Sequence, residues 1–238
     1  MTPALPRIES AGLDGWMVRL FDDIDEANMP WLTALVRQCE ASLSDALVDL
    51  VPSYTTLLVI FDPLVIAPGD VRQRLQQLLA NLEPDDSSAA ADVVELPTWY
   101  DTRVGPELER IAERAGMSIE QVIEAHSQTE YRVFALGFAP GFAFMGRVAE
   151  TIACPRLDTP RQRLPAGSVA IAERQTSAYP QVSPGGWNLI GRTPAVLFDR
   201  HRDGFSLLRV GDRVRFVPVS QAEFEQLGGN SQPTEARA

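Results

Sequence analysis

The chain contains no lysine, and all 21 of its cationic side chains are arginines. That absence excludes a lysine Schiff base, a lysine general base and the usual phosphate-binding lysine of a P-loop, because each needs an ammonium group. Cysteine and histidine are scarce, at two apiece. Cys39 and Cys154 stand far apart with no CxxC, so neither a disulfide framework nor a zinc ribbon is indicated. His126 and His201 fall into no HExxH or other ligand spacing, so no metal site is expected. Long apolar runs are also missing. The longest, around Leu57 to Ile66, is cut by Asp62 and Pro63, so no membrane segment is expected. Met1 to Gly12 lack the apolar core of a secretory signal, which makes a soluble cytoplasmic protein the expectation.

What remains is ordinary globular material, 238 residues with 45% apolar and 22% charged side chains. That length suits one large domain or two small ones. The 32 acidic residues outweigh the arginines to give a net charge of −11. Such a balance argues against a nucleic-acid partner, whose affinity comes mainly from neutralised phosphates. A small anionic ligand is still compatible, through a local arginine pocket.

Over residues 16–99 the pattern reads strand (Trp16–Phe21), helix (Asn28–Leu43), hairpin (Ala46–Val51 and Thr55–Phe61), helix (Pro68–Leu82), strand (Val93–Trp99). Pro30 near the first turn and Leu32, Leu35, Val36, Cys39 and Leu43 at helical spacing mark the first helix. The order βαββαβ predicts a ferredoxin-like domain over residues 1–92, with Pro84–Ala91 as a linker. Gly105–Gln128 predicts two helices broken at Gly116, the second capped by Ser118. After Tyr131, short apolar runs alternate with Gly and Pro, at Val133–Phe138, Val169–Ala172, Ala195–Phe198, Phe205–Val210 and Arg213–Val219. That spacing predicts a small barrel within residues 93–228, followed by a loose tail over 229–238. The fold class is therefore α+β.

Two motifs invite functional readings that their context rejects. Ile111–Ala125 has the layout of a helix-turn-helix, but its second helix presents Glu120 and Glu124 where base-reading cations belong. Gly186–Thr193 differs by one residue from GxxxxGK[ST]. Arginine replaces the lysine there and the chain continues as a strand, so a glycine turn bringing Arg192 to the barrel surface is expected instead.

Leu136–Gly146 (LGFAPGFAFMG) is more promising. Phe138, Pro140, Phe142 and Phe144 supply apolar walls, and the glycines let backbone pass close to a ligand; a corner of the core fits the same pattern. Downstream, Arg156, Arg161, Ser168, Gln175, Thr176, Tyr179, Trp187, Arg192 and Thr193 form a dense set of anion-binding and neutral donor groups. Two readings stand for this set: a concave site for a carboxylate or phosphate, and a loop surface with solvated arginines.

VELPTWYD (Val94–Asp101), GPELERIA (Gly105–Ala112), the blocks from His126 to Gly146, PRLDTPRQRLPAGSVAIA (Pro155–Ala172), QTSAYP (Gln175–Pro180) and SPGGWNLIGRTP (Ser183–Pro194) stand in series. Together they resemble the family that holds the B subunit of bacterial 5-oxoprolinase, allophanate hydrolase subunit 1 and the inhibitor of a sporulation histidine kinase. The resemblance implies a cyclophilin-like barrel, similar to half of a carboxyltransferase domain, behind a smaller α/β domain. It implies an ATP-dependent opening of 5-oxoproline to glutamate, carried out with a homologous C subunit and a separate A subunit. It also admits a regulatory protein that binds a histidine kinase, or a subunit of an allophanate or urea-degrading hydrolase. His126 is the one histidine inside these blocks, and fits either a general base or a structural hydrogen-bonder.

Overall fold

The computed structural model describes residues 5–85 and 93–234. The chain divides into two compact units, Met1–Ala91 and Asp92–Ala238.

The first unit runs β1 (Arg7–Ser10), β2 (Gly15–Arg19), α1 (Met29–Leu43), β3 (Leu47–Ser53), β4 (Thr56–Phe61) and α2 (Pro68–Ala80). Its strands pair antiparallel in the order β1-β2-β4-β3. Strict alternation in TLLVIF buries Leu57, Val59 and Phe61 on one face of β4. Leu32, Leu35, Cys39 and Leu43 of α1 and Val71 and Leu75 of α2 are buried as the helical spacing predicts.

The element order is ββαββα, which corrects the expected βαββαβ. Arg7–Ser10, a charged edge strand without an apolar signature, is the unforeseen member. Val94–Thr98, expected as the last strand here, pairs in parallel with Arg213–Pro218 in the second unit. Most of the expected linker, residues 86–91, lies outside the described residues.

The second unit contains β5 (Val94–Thr98), α3 (Leu108–Ala115), α4 (Ile119–Ser127), β6 (Tyr131–Leu136), β7 (Ala143–Gly146), β8 (Arg161–Leu164), β9 (Ser168–Ala172), β10 (Gln175–Ala178), β11 (Ser183–Gly185), β12 (Asn188–Arg192), β13 (Arg213–Pro218) and α5 (Gln221–Gln226). Pairing follows the path β5-β13-β6-β7-β10-β9-β12. Trp99 and Arg192 then exchange both main-chain hydrogen bonds, each 2.9 Å, and close the path into a ring. β8 and β11 form a separate pair.

Leu108, Ile111 and Val122 of the α3–α4 hairpin share one apolar core with Val133, Met145, Val169, Ile171, Ile190 and Phe216 of the strands. Gly116 ends α3 in a left-handed conformation, and Ser118 and Gln121 form a reciprocal capping box on α4. Ala195–Phe198 and Phe205–Val210, expected as strands, meet in a single bridge between Phe198 and Ser206. The backbone turns through positive φ at Gly204 and Phe205, which stops the ladder.

Candidate functional site

The polar groups singled out from sequence do not converge on one cavity. Arg161 opens β8, is 8% exposed, and makes a fork-to-fork ion pair with Glu107 at 2.7 and 3.0 Å. Glu107 Oε2 also accepts the Leu189 amide at 2.9 Å, so this carboxylate ties the start of α3 to β12 and β8 together. Gly105 makes the approach possible, because a Cβ there would lie 2.2 Å from the Ile190 carbonyl carbon. Sequence reasoning gives Glu107 no role apart from the other acids of the helical hairpin. Its place next to Gly105-Pro106, ahead of apolar Leu108, is the available signal.

Arg192 is not at a surface turn. It ends the fully buried strand β12 and is 2% exposed. Its Nη1 donates to the Asn230 and Gln232 carbonyls at 2.6 and 2.8 Å, and its Nη2 donates to Thr234 Oγ1 at 2.9 Å. Thr234 in turn donates from its amide to the Arg103 carbonyl and from its hydroxyl to the Val104 carbonyl. Residues 229–234 are thus tied to the barrel, against the expectation of a loose tail; residues 235–238 lie outside the described residues.

His126 is fully buried in α4 and packed on Phe216 and Tyr131. Thr176 donates its hydroxyl proton to the Ala170 carbonyl, so it accepts from His126 Nε2 at 2.8 Å. Nδ1 is left to accept from the Tyr100 hydroxyl at 2.7 Å. Burial drives the imidazole down to a pKa of about 3. A neutral ring with both nitrogens occupied and no solvent path is a structural hydrogen-bonder. Ser168 donates to the Pro165 carbonyl, and Thr193 accepts the Ala195 amide. Gln175 is half-buried in β10, opposite Gly146 and Ala172.

The aromatic residues do converge. Phe142 is the hub, with ring centroids 4.9 Å from Phe144, 5.2 Å from Phe138, 5.2 Å from Tyr179 and 5.6 Å from Trp187, all edge-to-face. The β6–β7 loop places these rings. Gly137 donates to the Phe142 carbonyl and Phe142 to the Ala139 carbonyl, leaving Pro140 exposed at the tip. Gly141 adopts φ +81, and a Cβ there would lie 2.8 Å from the Leu197 carbonyl oxygen, so the position is closed to any side chain. Phe138 sits at φ +70 and is 63% exposed, a left-handed conformation unusual for a bulky residue. Leu136–Gly141 and Ser206 bound a shallow depression of about 390 Å³ at this corner. On the other side, the exposed Arg156 guanidinium lies 5.7 Å over the Trp187 ring. Burial pushes the Tyr179 hydroxyl up to about 12, so it is a neutral donor at physiological pH.

The chain matches the family model described as carboxyltransferase domain, subdomain C and D, over residues 6–208. It belongs to that family. It is 36% identical to the B subunit of 5-oxoprolinase from Bacillus subtilis, covering 92% of this chain and 95% of that one. It is 42% identical to the B subunit of 5-oxoprolinase from Escherichia coli O157:H7, covering 73% of this chain and 79% of that one. Among solved structures, TTHA0988 superposes with a TM-score of 0.76 at 39% identity over 87% of this chain. The family member spans only 40% of the length of TTHA0988. Kluyveromyces lactis urea carboxylase shares the fold, with a TM-score of 0.71 at 19% identity, over 95% of this chain and 23% of the enzyme. Among the described residues no group of His, Cys, Asp and Glu could hold a metal ion, and no helix is long and apolar enough to cross a membrane.

Proposed function

We propose that this chain is the B subunit of a cytoplasmic, ATP-dependent hydrolase that opens 5-oxoproline to glutamate, in a complex with a homologous C subunit and a separate A subunit. Similarity over most of the chain to proteins named as the B subunit of 5-oxoprolinase supports the reading. We read the second unit as the cyclophilin-like barrel of this assembly.

The observation that carries the site is Arg156 over the Trp187 ring, at the edge of the aromatic cluster. 5-Oxoproline is a flat five-membered lactam bearing one carboxylate. The exposed Phe138 and half-buried Phe144, backed by the buried Phe142, Tyr179 and Trp187, offer its ring an apolar wall, and Arg156 offers the carboxylate a fork of donors. Arg161 and Arg192, the other two arginines expected to do this, commit their guanidinium groups inside the barrel. The lactam amide is resonance-stabilised; ATP would supply its activation, transferring a phosphoryl group to the amide oxygen with release of ADP. Water adding at the carbonyl carbon then expels the ring nitrogen as the amine, and a second water releases phosphate from the acyl phosphate to leave glutamate. In this scheme the present chain orients the ring and the carboxylate.

Co-expression with matching C and A subunits tests the proposal. One co-eluting complex is expected to consume 5-oxoproline only with ATP, while the isolated chain is inactive. Arg156→Ala in the complex removes a charge-assisted pair worth about 1.5–3 kcal/mol, a rise in KM of roughly ten- to hundred-fold. An isolated chain that turned over 5-oxoproline would overturn the proposal.

The exposed Phe138 and Pro140 favour a second reading, a regulatory module that docks on a sensor histidine kinase. Inhibition of such a kinase by the isolated chain, with no hydrolase activity in the reconstituted complex, would select it.

A further inference from the structure

The barrel buries two arginines, and they are treated differently. Arg161 is neutralised by the Glu107 carboxylate. Arg192 is equally sheltered, yet its three hydrogen-bond acceptors are two carbonyls and a hydroxyl, all uncharged. Its Nε is buried without a partner, as is that of Arg161, so the contrast between the two lies in the charge of their acceptors. Burial alone moves its pKa, downward, and no carboxylate acts on it. A desolvated cation held only by neutral dipoles is poorly compensated, whereas a carboxylate would supply the missing charge and reach the idle Nε.

All three acceptors come from one short stretch without helix or strand, Asn230 to Thr234. That stretch is also fastened by the two Thr234 bonds to Arg103 and Val104, by Ser231 on the Glu225 carboxylate and by the Gly229 amide on the Phe224 carbonyl. Gly229, next to Phe224, marks its start, and a Cβ there would lie 2.4 Å from that ring.

We infer that residues 229–234 are a displaceable strap over a carboxylate-binding site whose recognition group is Arg192. The strap holds the guanidinium by proximity, being part of the same chain; a carboxylate holds it by charge. Binding therefore exchanges three neutral acceptors for one anionic fork and frees the strap. The inference does not rest on the 5-oxoproline reading, since acetate has the same recognition group and serves as the probe.

Hydrogen exchange of the C-terminal peptide in the full chain reports the strap, through the Thr234 and Gln232 amides. At constant ionic strength, replacing chloride by acetate is expected to speed their exchange several-fold, as local opening is favoured. Arg192→Met is expected to give fast exchange in both salts, with the acetate effect gone. Thr234→Val keeps the guanidinium but removes one acceptor, and is expected to lower the acetate concentration needed for release. Formate should act like acetate, and neutral acetamide should not. Exchange unchanged by acetate in both the parent and Thr234→Val, or an acetate effect that survives Arg192→Met, would overturn the inference. It would leave Arg192 a fixed strut.

Discussion

The polar interior of the barrel and the aromatic cluster at its edge contain similar chemistry, and they use it in opposite ways. The terminal nitrogens of Arg161 and Arg192, both ring nitrogens of His126 and the hydroxyls of Thr176 and Ser168 are committed to Glu107, residues 230–234, Tyr100, one another and main-chain carbonyls; only the two arginine Nε groups have no partner among the described residues. In the aromatic cluster the rings are packed on each other, while Phe138 and Arg156 remain exposed. The difference teaches that a density of donors does not make a site. Accounting for each bond does, because a buried polar group left unmade costs about as much as a bond is worth.

The sharpest way to break the comparison is at Glu107. Glu107→Ala leaves the Arg161 charge buried without a counter-ion and the Leu189 amide without its acceptor. A loss of about 3–5 kcal/mol in urea unfolding is expected, with Arg161→Met recovering part of it in the double variant. An unchanged midpoint would mean that the barrel interior tolerates an unpaired guanidinium.

Acid probes the same interior through His126. Its folded pKa of about 3 lies below the ordinary 6.5, so the unfolded chain binds the extra proton. Its contribution is whole above pH 6.5 and falls by about 1.4 kcal/mol per unit as the pH drops toward 3. Urea midpoints measured between pH 6.5 and 5 should therefore decline, with about one proton taken up on unfolding. His126→Gln should flatten that limb, and a slope that persisted would assign the proton elsewhere.

The smallest stability effect is expected at Arg156. Exposed and without an ion pair among the described residues, it should lose no more than about 0.5 kcal/mol on change to alanine. A larger loss would move Arg156 from the open cluster to the structural set, and its cost to KM would then need another explanation.

The helices, the barrel and the family are legible in the sequence because periodicity and serial motifs are local signals. Cys39, Leu35 and Leu43 fall on the buried stripe of α1, and Ser118 caps α4 as expected. Which strand pairs with which is not legible in the same way. Val94–Thr98 looks the same whether it completes the first sheet or lies beside Arg213–Pro218, since that choice depends on long-range closure. The expectation for Arg192 fails for a related reason. A glycine before an arginine suggests a turn, but Gly191 is there because a Cβ would lie 2.8 Å from the Trp99 carbonyl oxygen. The clustering of the aromatic residues is legible because they stand close together in LGFAPGFAFMG and its neighbours. The burial of Arg161 and Arg192 is not, since their partners Glu107 and Asn230 to Thr234 lie far away in the chain.

The ring is completed where Trp99 and Arg192 exchange their main-chain bonds, and this has a consequence for how the molecule forms. Those residues lie far apart in the chain, as do the paired strands β5 and β13, so both meetings carry a large loop-closure entropy and follow the local hairpins. Assembly of the barrel should thus end at these two junctions, with the α3–α4 pair and the β9–β10 hairpin already in place. Synthesis order adds to the delay. The residues that grip Arg192, and β13 beside β5, leave the ribosome after the rest of the ring, so a nascent chain halted near Pro194 would hold an open sheet with an unprotected edge.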